Sequence, residues 1–271
     1  MSAPLVRRSL SPALRRVSGR GFAHVDGLVN EAFLRGLRRE VEGGPLRTMA
    51  GTFGAAGVRM EIDGYDLETP FEGFPLLTEL ASSFTSRVRS DGGEIRGLRT
   101  WRPNEAGIAV YRSGSVGVTS HLDGRWYRRL VAVFTVAGSA RFEVRSSREG
   151  EVLERWDARA GSVTLMRAPG LAGVRDGRPY HSVHGPPRGA RCSLALRMRV
   201  VQAVADPRAD QAHEVNQYRS LKAASLTGAA VRIGQNQMNR ITDAATKPTT
   251  KGRNGRDREP ATCSSDRSRS A

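Results

Sequence analysis

Along the first ninety residues apolar positions recur at helical spacing, and beyond them they fall into short, alternating runs. In NEAFLRGLRREVEGG (30–44), Phe33, Leu34, Leu37 and Val41 share one helical face. Asn30 offers a side-chain oxygen to cap the first turn, and Gly43-Gly44 ends the element. A second helix is predicted over 71–89, FEGFPLLTELASSFTSRVR, with Leu77, Leu80, Phe84 and Val88 aligned. GFAHVDGL (21–28) reads as a short strand. From residue 97 onward the apolar runs are brief and punctuated by Gly, Asp and Ser: LRTW, GIAVY, SVGVTSH, RLVAVFTVAG, ARFEVR, SVTLMR, YHSVHG and RCSLALRMRV. Runs of this length between turn signals predict a mainly β sandwich or barrel. Two helices ahead of such a series predict a jelly roll with helices packed on one sheet.

The two ends lack this periodicity. Residues 1–18 are rich in Ser, Pro and Arg and read as a disordered N-terminal arm. Gln first appears at Gln202 and Lys at Lys222, so the composition changes near residue 205. The segment 206–271 is too poor in apolar residues to offset its ordering entropy, and reads as a basic, largely disordered tail with a short helix around 212–224. The folded domain is therefore expected over 19–205.

Charge widens the functional question rather than answering it. The formal net charge is +16, which favours a polyanionic partner such as a nucleic acid. Every basic side chain before Lys222 is Arg, scattered through strands and loops, and a bias toward GC-rich codons produces the same pattern. The two cysteines, Cys192 and Cys263, form no framework, so a reducing compartment is expected. No apolar run approaches the ~18 residues of a membrane span, and the first residues carry no continuous apolar core of a secretory signal. The expectation is a cytoplasmic protein with no membrane partner.

Candidate chemistry begins at His121-Leu-Asp123. If the strand 115–121 continues to Asp123, both side chains project to the same side. One further His from a distant strand completes a face of two imidazoles and one carboxylate. That face suits Fe(II), because it leaves coordination positions open, whereas a structural zinc site closes all four. Two candidates for the second imidazole stand in PYHSVHGPPRGARCSLALRM (179–198), His181 and His184. The strand that follows places Arg191, Ser193, Ala195 and Arg197 on one face and Cys192, Leu194, Leu196 and Met198 on the other. Two Arg facing inward are costly unless an anion meets them, and a dicarboxylate is such an anion. The alternative is that the apolar face alone is buried and both Arg face water.

Tyr111-x-x-Gly114, His121-x-Asp123, and then a His followed about ten residues later by Arg-x-Ser-Leu-x-Leu-Arg together resemble the 2-oxoglutarate/Fe(II) oxygenase superfamily. The resemblance runs over residues 20–200 and is densest at 108–136 and 160–198. The two Arg spaced six apart resemble the AlkB-like branch. The resemblance implies a double-stranded β-helix, with Fe(II) and 2-oxoglutarate as cofactors. It implies that His121, Asp123 and His181 ligate iron. His181 is preferred to His184 because His-x-Val and the spacing to Arg191 match the family. Arg191 would pair with the distal carboxylate of 2-oxoglutarate, Arg197 would hold the cosubstrate or a ligating carboxylate, and Tyr111 would donate a hydrogen bond to 2-oxoglutarate. Two features depart from the AlkB pattern. Ala109 stands where those enzymes carry Asn, and the stretch from Tyr111 to His121 is one residue longer.

The implied activity is O₂-dependent oxidation of a C–H bond, with release of succinate and CO₂. Asp123 argues against halogenation, since halogenating relatives lack this carboxylate. A small-molecule substrate is the favoured expectation. A nucleic-acid demethylase and a non-catalytic cupin-like binding protein are the alternatives. Trp126 and Tyr127 follow the metal motif and are candidates for the pocket mouth, with core packing as the alternative. His184 is a third candidate substrate contact, or else a turn residue. The Gly-rich, charged loop LAGVRDGRPY (171–180) is a candidate lid. His24 and His213 carry no such context.

Overall fold

The computed structural model describes residues 3–200. The tail expected over 206–271, the last five residues of the expected domain, His213 and Cys263 lie outside the described residues.

Among the described residues, three α-helices and eleven strands follow one another in the order α1 (Ser11–Arg20), β1 (Phe22–Val25), α2 (Glu31–Glu42), β2 (Arg47–Phe53), β3 (Val58–Glu68), α3 (Pro75–Asp91), β4 (Glu105–Arg112), β5 (Gly117–His121), β6 (Tyr127–Ala137), β7 (Ser139–Arg145), β8 (Val152–Arg159), β9 (Val163–Arg167), β10 (Tyr180–Val183) and β11 (Ala190–Arg199). The strands form one continuous antiparallel sheet ordered β1-β9-β6-β11-β4-β3-β5-β10-β7-β8, with β2 paired outside β3. The sheet curls on itself, which gives it an inner and an outer face. This is the mainly β, helix-flanked jelly roll that the periodicity predicts.

Strand β11 explains why two cores form. Its Cys192, Leu194 and Leu196 pack into an outer cluster with Leu14 of α1, Leu37 of α2 and Phe84 of α3. All three helices thus cover one part of the sheet. The opposite faces of the strands enclose a second, inner cluster that includes Tyr111, Tyr127, Val131, Phe142 and Val183. Arg191 points to that inner side, over the ring of Tyr111. A strand buried on both faces is a central strand, and β11 indeed lies between β4 and β6.

Several expectations need correction. The described part of the expected arm, residues 3–18, is not disordered: Leu10, Leu14 and Val17 are fully buried, and 11–20 is helix α1. Their i, i+4, i+7 spacing supplies the buried stripe, and Pro12 in the first turn is compatible with helix initiation. The Asp91 carboxylate accepts from the Leu10 backbone N–H at 2.6 Å, which ties the segment to the end of α3. The second helix starts at Pro75 rather than 71, because a proline suits the first turn and disfavours helix in the residue before it. LRTW is a single 3₁₀ turn, Leu98–Thr100, and not a strand. β2, β3 and β8 were not expected. β2 and most of β8 are exposed along their lengths, so no apolar alternation marks them. β5 ends at His121, so Asp123 sits in the following loop rather than on the strand. No helix among the described residues is long and apolar enough to cross a membrane.

If α1 is part of the fold, Leu14→Ala will cost about 2–5 kcal/mol, the usual range for a fully buried leucine. Urea unfolding measures this, and an unchanged midpoint would mean that the segment is dispensable.

Candidate metal centre

Strands β5 and β10 run antiparallel with His121 directly opposite His181. Their ring centroids lie 4.2 Å apart. Asp123 turns back from the loop, and one ligand atom from each of His121, Asp123 and His181 lies within 4.8 Å of the others. The three candidate ligands therefore converge, although the strand continuation expected for Asp123 is absent.

The backbone selects which nitrogen each imidazole presents. His121 Nδ1 lies 2.8 Å from the Thr119 carbonyl, and His181 Nδ1 lies 3.1 Å from the Pro179 carbonyl. In both cases the acceptor is two residues upstream. A carbonyl accepts only from N–H, so Nδ1 carries the proton and Nε2 keeps its lone pair for a metal. Burial, reinforced by the neighbouring His181, pulls the His121 pKa down to about 4. Its ring is thus neutral, as a ligand must be. The His181 ring lies parallel to Phe142 at 5.5 Å, which fixes its orientation.

The inner face of β11 holds the two arginines. Arg191 is 1% exposed. Its Nη2 donates to Thr135 Oγ1 at 3.2 Å, while Nε and Nη1 have no hydrogen-bond partner among the described residues. Its guanidinium lies over the Tyr111 ring, 5.0 Å from the centroid, and burial lowers its pKa. Arg191 is therefore a buried cation on the inner face of β11, with two nitrogens that have no hydrogen-bond partner among the described residues and with Tyr111 opposing the effect of burial on its pKa. Arg197 differs, because Nη1 is shared between Asp66 at 3.3 Å and Glu105 at 3.2 Å. Burial alone would lower its pKa, but Tyr127, Asp66, Glu105 and Asp123 hold it above the ordinary guanidinium value. Arg197 is therefore already paired with carboxylates.

The remaining candidates divide. Tyr127 is buried, and its hydroxyl donates to Glu105 at 2.6 Å, so it packs in the inner core rather than at a mouth. Trp126 is half-buried beside it, 5.7 Å between centroids. A Cβ on Gly124 would meet the Trp126 ring at 2.3 Å, so the glycine lets that ring fold over the turn after Asp123. His184 is 49% exposed and pairs with Glu143 at 3.4 Å. It directly follows the end of β10 and pairs with Glu143 away from the inward-facing His181 and Val183, and the structure does not bring it to the triad. The loop 171–180 is no free lid. Leu171 is buried, Arg167 donates to the Gly177 carbonyl at 2.9 Å, and Arg178 donates to the Asp123 carbonyl. The Arg178 guanidinium also holds the Asp176 carboxyl below the usual carboxylate range. Thr135 was missed by sequence reasoning, although it is the one hydroxyl in the apolar run RLVAVFTVAG. Arg178 and Asp176 carry no sequence signature.

Two consequences are measurable without a ligand. Replacing a buried ion pair or triad by apolar residues of similar volume is often neutral or stabilising by about 1–4 kcal/mol, and a buried cation without a carboxylate partner has less to lose. Arg191→Met will therefore raise the urea midpoint, and a marked loss of stability would mean that the guanidinium is structurally satisfied. His24 is stacked on Trp156 at 5.2 Å, and burial lowers its pKa below the ordinary histidine value, with Asp26 opposing. Because the folded pKa is the lower one, this contribution to stability is complete above the unfolded value and is lost as pH falls through the folded value. His24→Asn will flatten the dependence of unfolding on pH just below 6.5, and an unaltered slope would contradict the assignment.

No family model matches the chain, and no curated protein matches it. Solved structures do. A prolyl hydroxylase from Trichoplax adhaerens, in complex with a hypoxia inducible factor oxygen degradation domain peptide fragment, aligns with 70% of this chain and 89% of its own, at 14% identity and a TM-score of 0.51. The non-heme alpha ketoglutarate dependent carbocyclase SnoK from nogalamycin biosynthesis aligns with 74% and 88%, at 13% identity and a TM-score of 0.52. An oxidoreductase of the 2OG-Fe(II) oxygenase family from Burkholderia pseudomallei aligns with 74% and 97%, at 14% identity and a TM-score of 0.52. These matches do not single out the AlkB-like branch. The chain has the double-stranded β-helix fold of the 2-oxoglutarate/Fe(II) oxygenases, and His121, Asp123 and His181 form a candidate metal triad within it.

Proposed function

We propose that the protein is an Fe(II)/2-oxoglutarate-dependent oxygenase that oxidises a C–H bond of a small molecule and releases succinate and CO₂. The observations that support this reading are the triad and, on the inner face, Arg191, a buried cation whose Nε and Nη1 lack partners among the described residues. A metal site alone suits a cupin-like binding protein equally well. A metal site with a buried guanidinium awaiting an anion suits a diacid cosubstrate.

The donor set fits ferrous iron. Two neutral imidazoles and one carboxylate occupy one side of an ion and leave its other positions open. Fe(II) and 2-oxoglutarate, when bound, supply the oxidative decarboxylation by O₂ that transfers one oxygen atom to the substrate. The chain's own residues bind and orient. Nε2 of His121 and of His181, with the Asp123 carboxylate, would hold the iron. Arg191 would take the distal carboxylate of 2-oxoglutarate, while Thr135 holds its Nη2 in place. Tyr111, opposite Arg191 in register, is positioned to hydrogen-bond the same cosubstrate. Arg197, bound to Asp66 and Glu105, would set the electrostatic environment of Asp123 rather than bind the diacid. Trp126 would form part of the substrate contact next to the metal. The free, buried Cys192 and the ferrous ion both suit a reducing compartment.

A nucleic-acid demethylase is the second reading, favoured by the net charge of +16. Ala109 at the position of the AlkB Asn opposes it.

Anaerobically purified protein supplied with Fe(II), 2-oxoglutarate and O₂ will form succinate in a 2-oxoglutarate-dependent manner. Asp123→Ala will reduce this to the level of the metal-free protein. Arg191→Met will raise the 2-oxoglutarate KM by at least about 30-fold, the equivalent of about 2 kcal/mol for a lost buried charge pair. Absence of succinate from the wild-type protein would leave the cupin-like reading. Stimulation by methylated single-stranded DNA, and not by small molecules, would select the demethylase.

A further inference from the structure

Asp123 lies two residues past the end of β5, outside the strand pairing that fixes His121 against His181. Something other than the sheet must hold it. The residue in contact with its backbone is Arg178, three positions before His181 on the segment leading into β10.

The Arg178 side chain is 6% exposed, and its Nη1 donates to the Asp123 carbonyl oxygen. The rest of the guanidinium is clamped. Nε donates to Asp176 Oδ1 at 2.9 Å, and Nη2 donates to Asp176 Oδ2 at 2.8 Å. Arg125, two residues after Asp123, approaches the same carboxylate at 3.8 Å. The 123–125 loop and the 176–178 loop are therefore tied by one closed set of charged contacts. A bidentate pair of this kind fixes the plane of the guanidinium, and so the direction of its remaining donor.

The choice of acceptor matters. An arginine bound to the Asp123 carboxylate would compete with a metal for it. Bound to the carbonyl, Arg178 anchors the residue while leaving both carboxylate oxygens free. We infer that Arg178, oriented by Asp176, is a positioning residue that fixes the Asp123 loop to the strand bearing His181, so that the triad is assembled before metal arrives. This inference rests on the metal-site reading above. Groups that orient metal ligands typically contribute 10–100-fold to affinity, and pre-ordering the ligands removes an entropic cost from binding.

The test uses Co(II) as a non-oxidising probe, titrated into the intact protein and followed by its visible ligand-field absorption. Unfolding midpoints are measured in parallel. Arg178→Met is expected to weaken Co(II) binding by about 10–100-fold and to alter the absorption envelope. Asp176→Asn, which keeps the arginine and its packing, is expected to give a smaller loss. Arg178→Lys is expected to recover part of the affinity lost in Arg178→Met. Arg175→Met, at an exposed position in the same loop, is expected to bind as the wild type does. Wild-type affinity and spectrum in Arg178→Met would overturn the inference. So would a lowered unfolding midpoint with unchanged Co(II) affinity, since that is a structural role alone. If Arg178→Met does not fold, Asp176→Asn and Arg178→Lys decide in the same way. Failure of the wild type to bind Co(II), or equal binding by Asp123→Ala, would instead remove the metal site itself and the inference with it.

Discussion

The site depends on one antiparallel pairing, that of β5 with β10. Because side chains alternate along a strand, a register with His121 opposite His181 turns both imidazoles to the same interior. A slip of one residue would bring Leu122 or Ser182 into the position of a ligand. The register is held by what lies around it. Val118 and Val183, paired beyond a register shift that brings Val118 to the same side as His121, belong to the inner apolar cluster, and so do Phe142 and Val144 on β7, the next strand. Burial of these side chains and the geometry of the two histidines are one constraint. The carbonyls of Thr119 and Pro179 then fix the tautomers, so that a packing preference becomes a coordination preference.

The apolar lining of the inner face is interrupted by polar groups, and two of these places concern the site. At one, a carboxylate and two imidazoles converge. At the other, a guanidinium is buried with part of its hydrogen-bonding capacity unused. The first is common among binding proteins. The second is energetically unfavourable in the free protein and is explained by a ligand that supplies the missing acceptors. Arg197 provides a contrast within the same strand, since two carboxylates, those of Asp66 and Glu105, meet its Nη1.

Much of this was legible in the sequence. Helix α2 with its Asn30 cap, the apolar stripe of α3, the alternation of β11 and the spacing of His121, Asp123 and His181 all carry periodic or motif signals. What escaped has physical reasons. Helix α1 has a buried stripe of Leu10, Leu14 and Val17, but the Ser, Pro and Arg around it conceal the periodicity. β2 is exposed nearly throughout, so it has no inward-facing set to detect. His184 was separable from His181 in principle, because the apolar Val183 marks the inward face and places the next residue outside. Arg178 was not separable from the other arginines. It recognises a backbone carbonyl, and a carbonyl is present at every position of the chain.

The central claim is that Arg191 and the triad form one site. The most direct measurement is a crystal structure of the protein grown anaerobically with Mn(II) and 2-oxoglutarate. The account predicts one metal ion bound by His121 Nε2, Asp123 and His181 Nε2, with the far carboxylate of the diacid on Arg191. A metal ion at other residues, or a diacid bound away from Arg191, would contradict it.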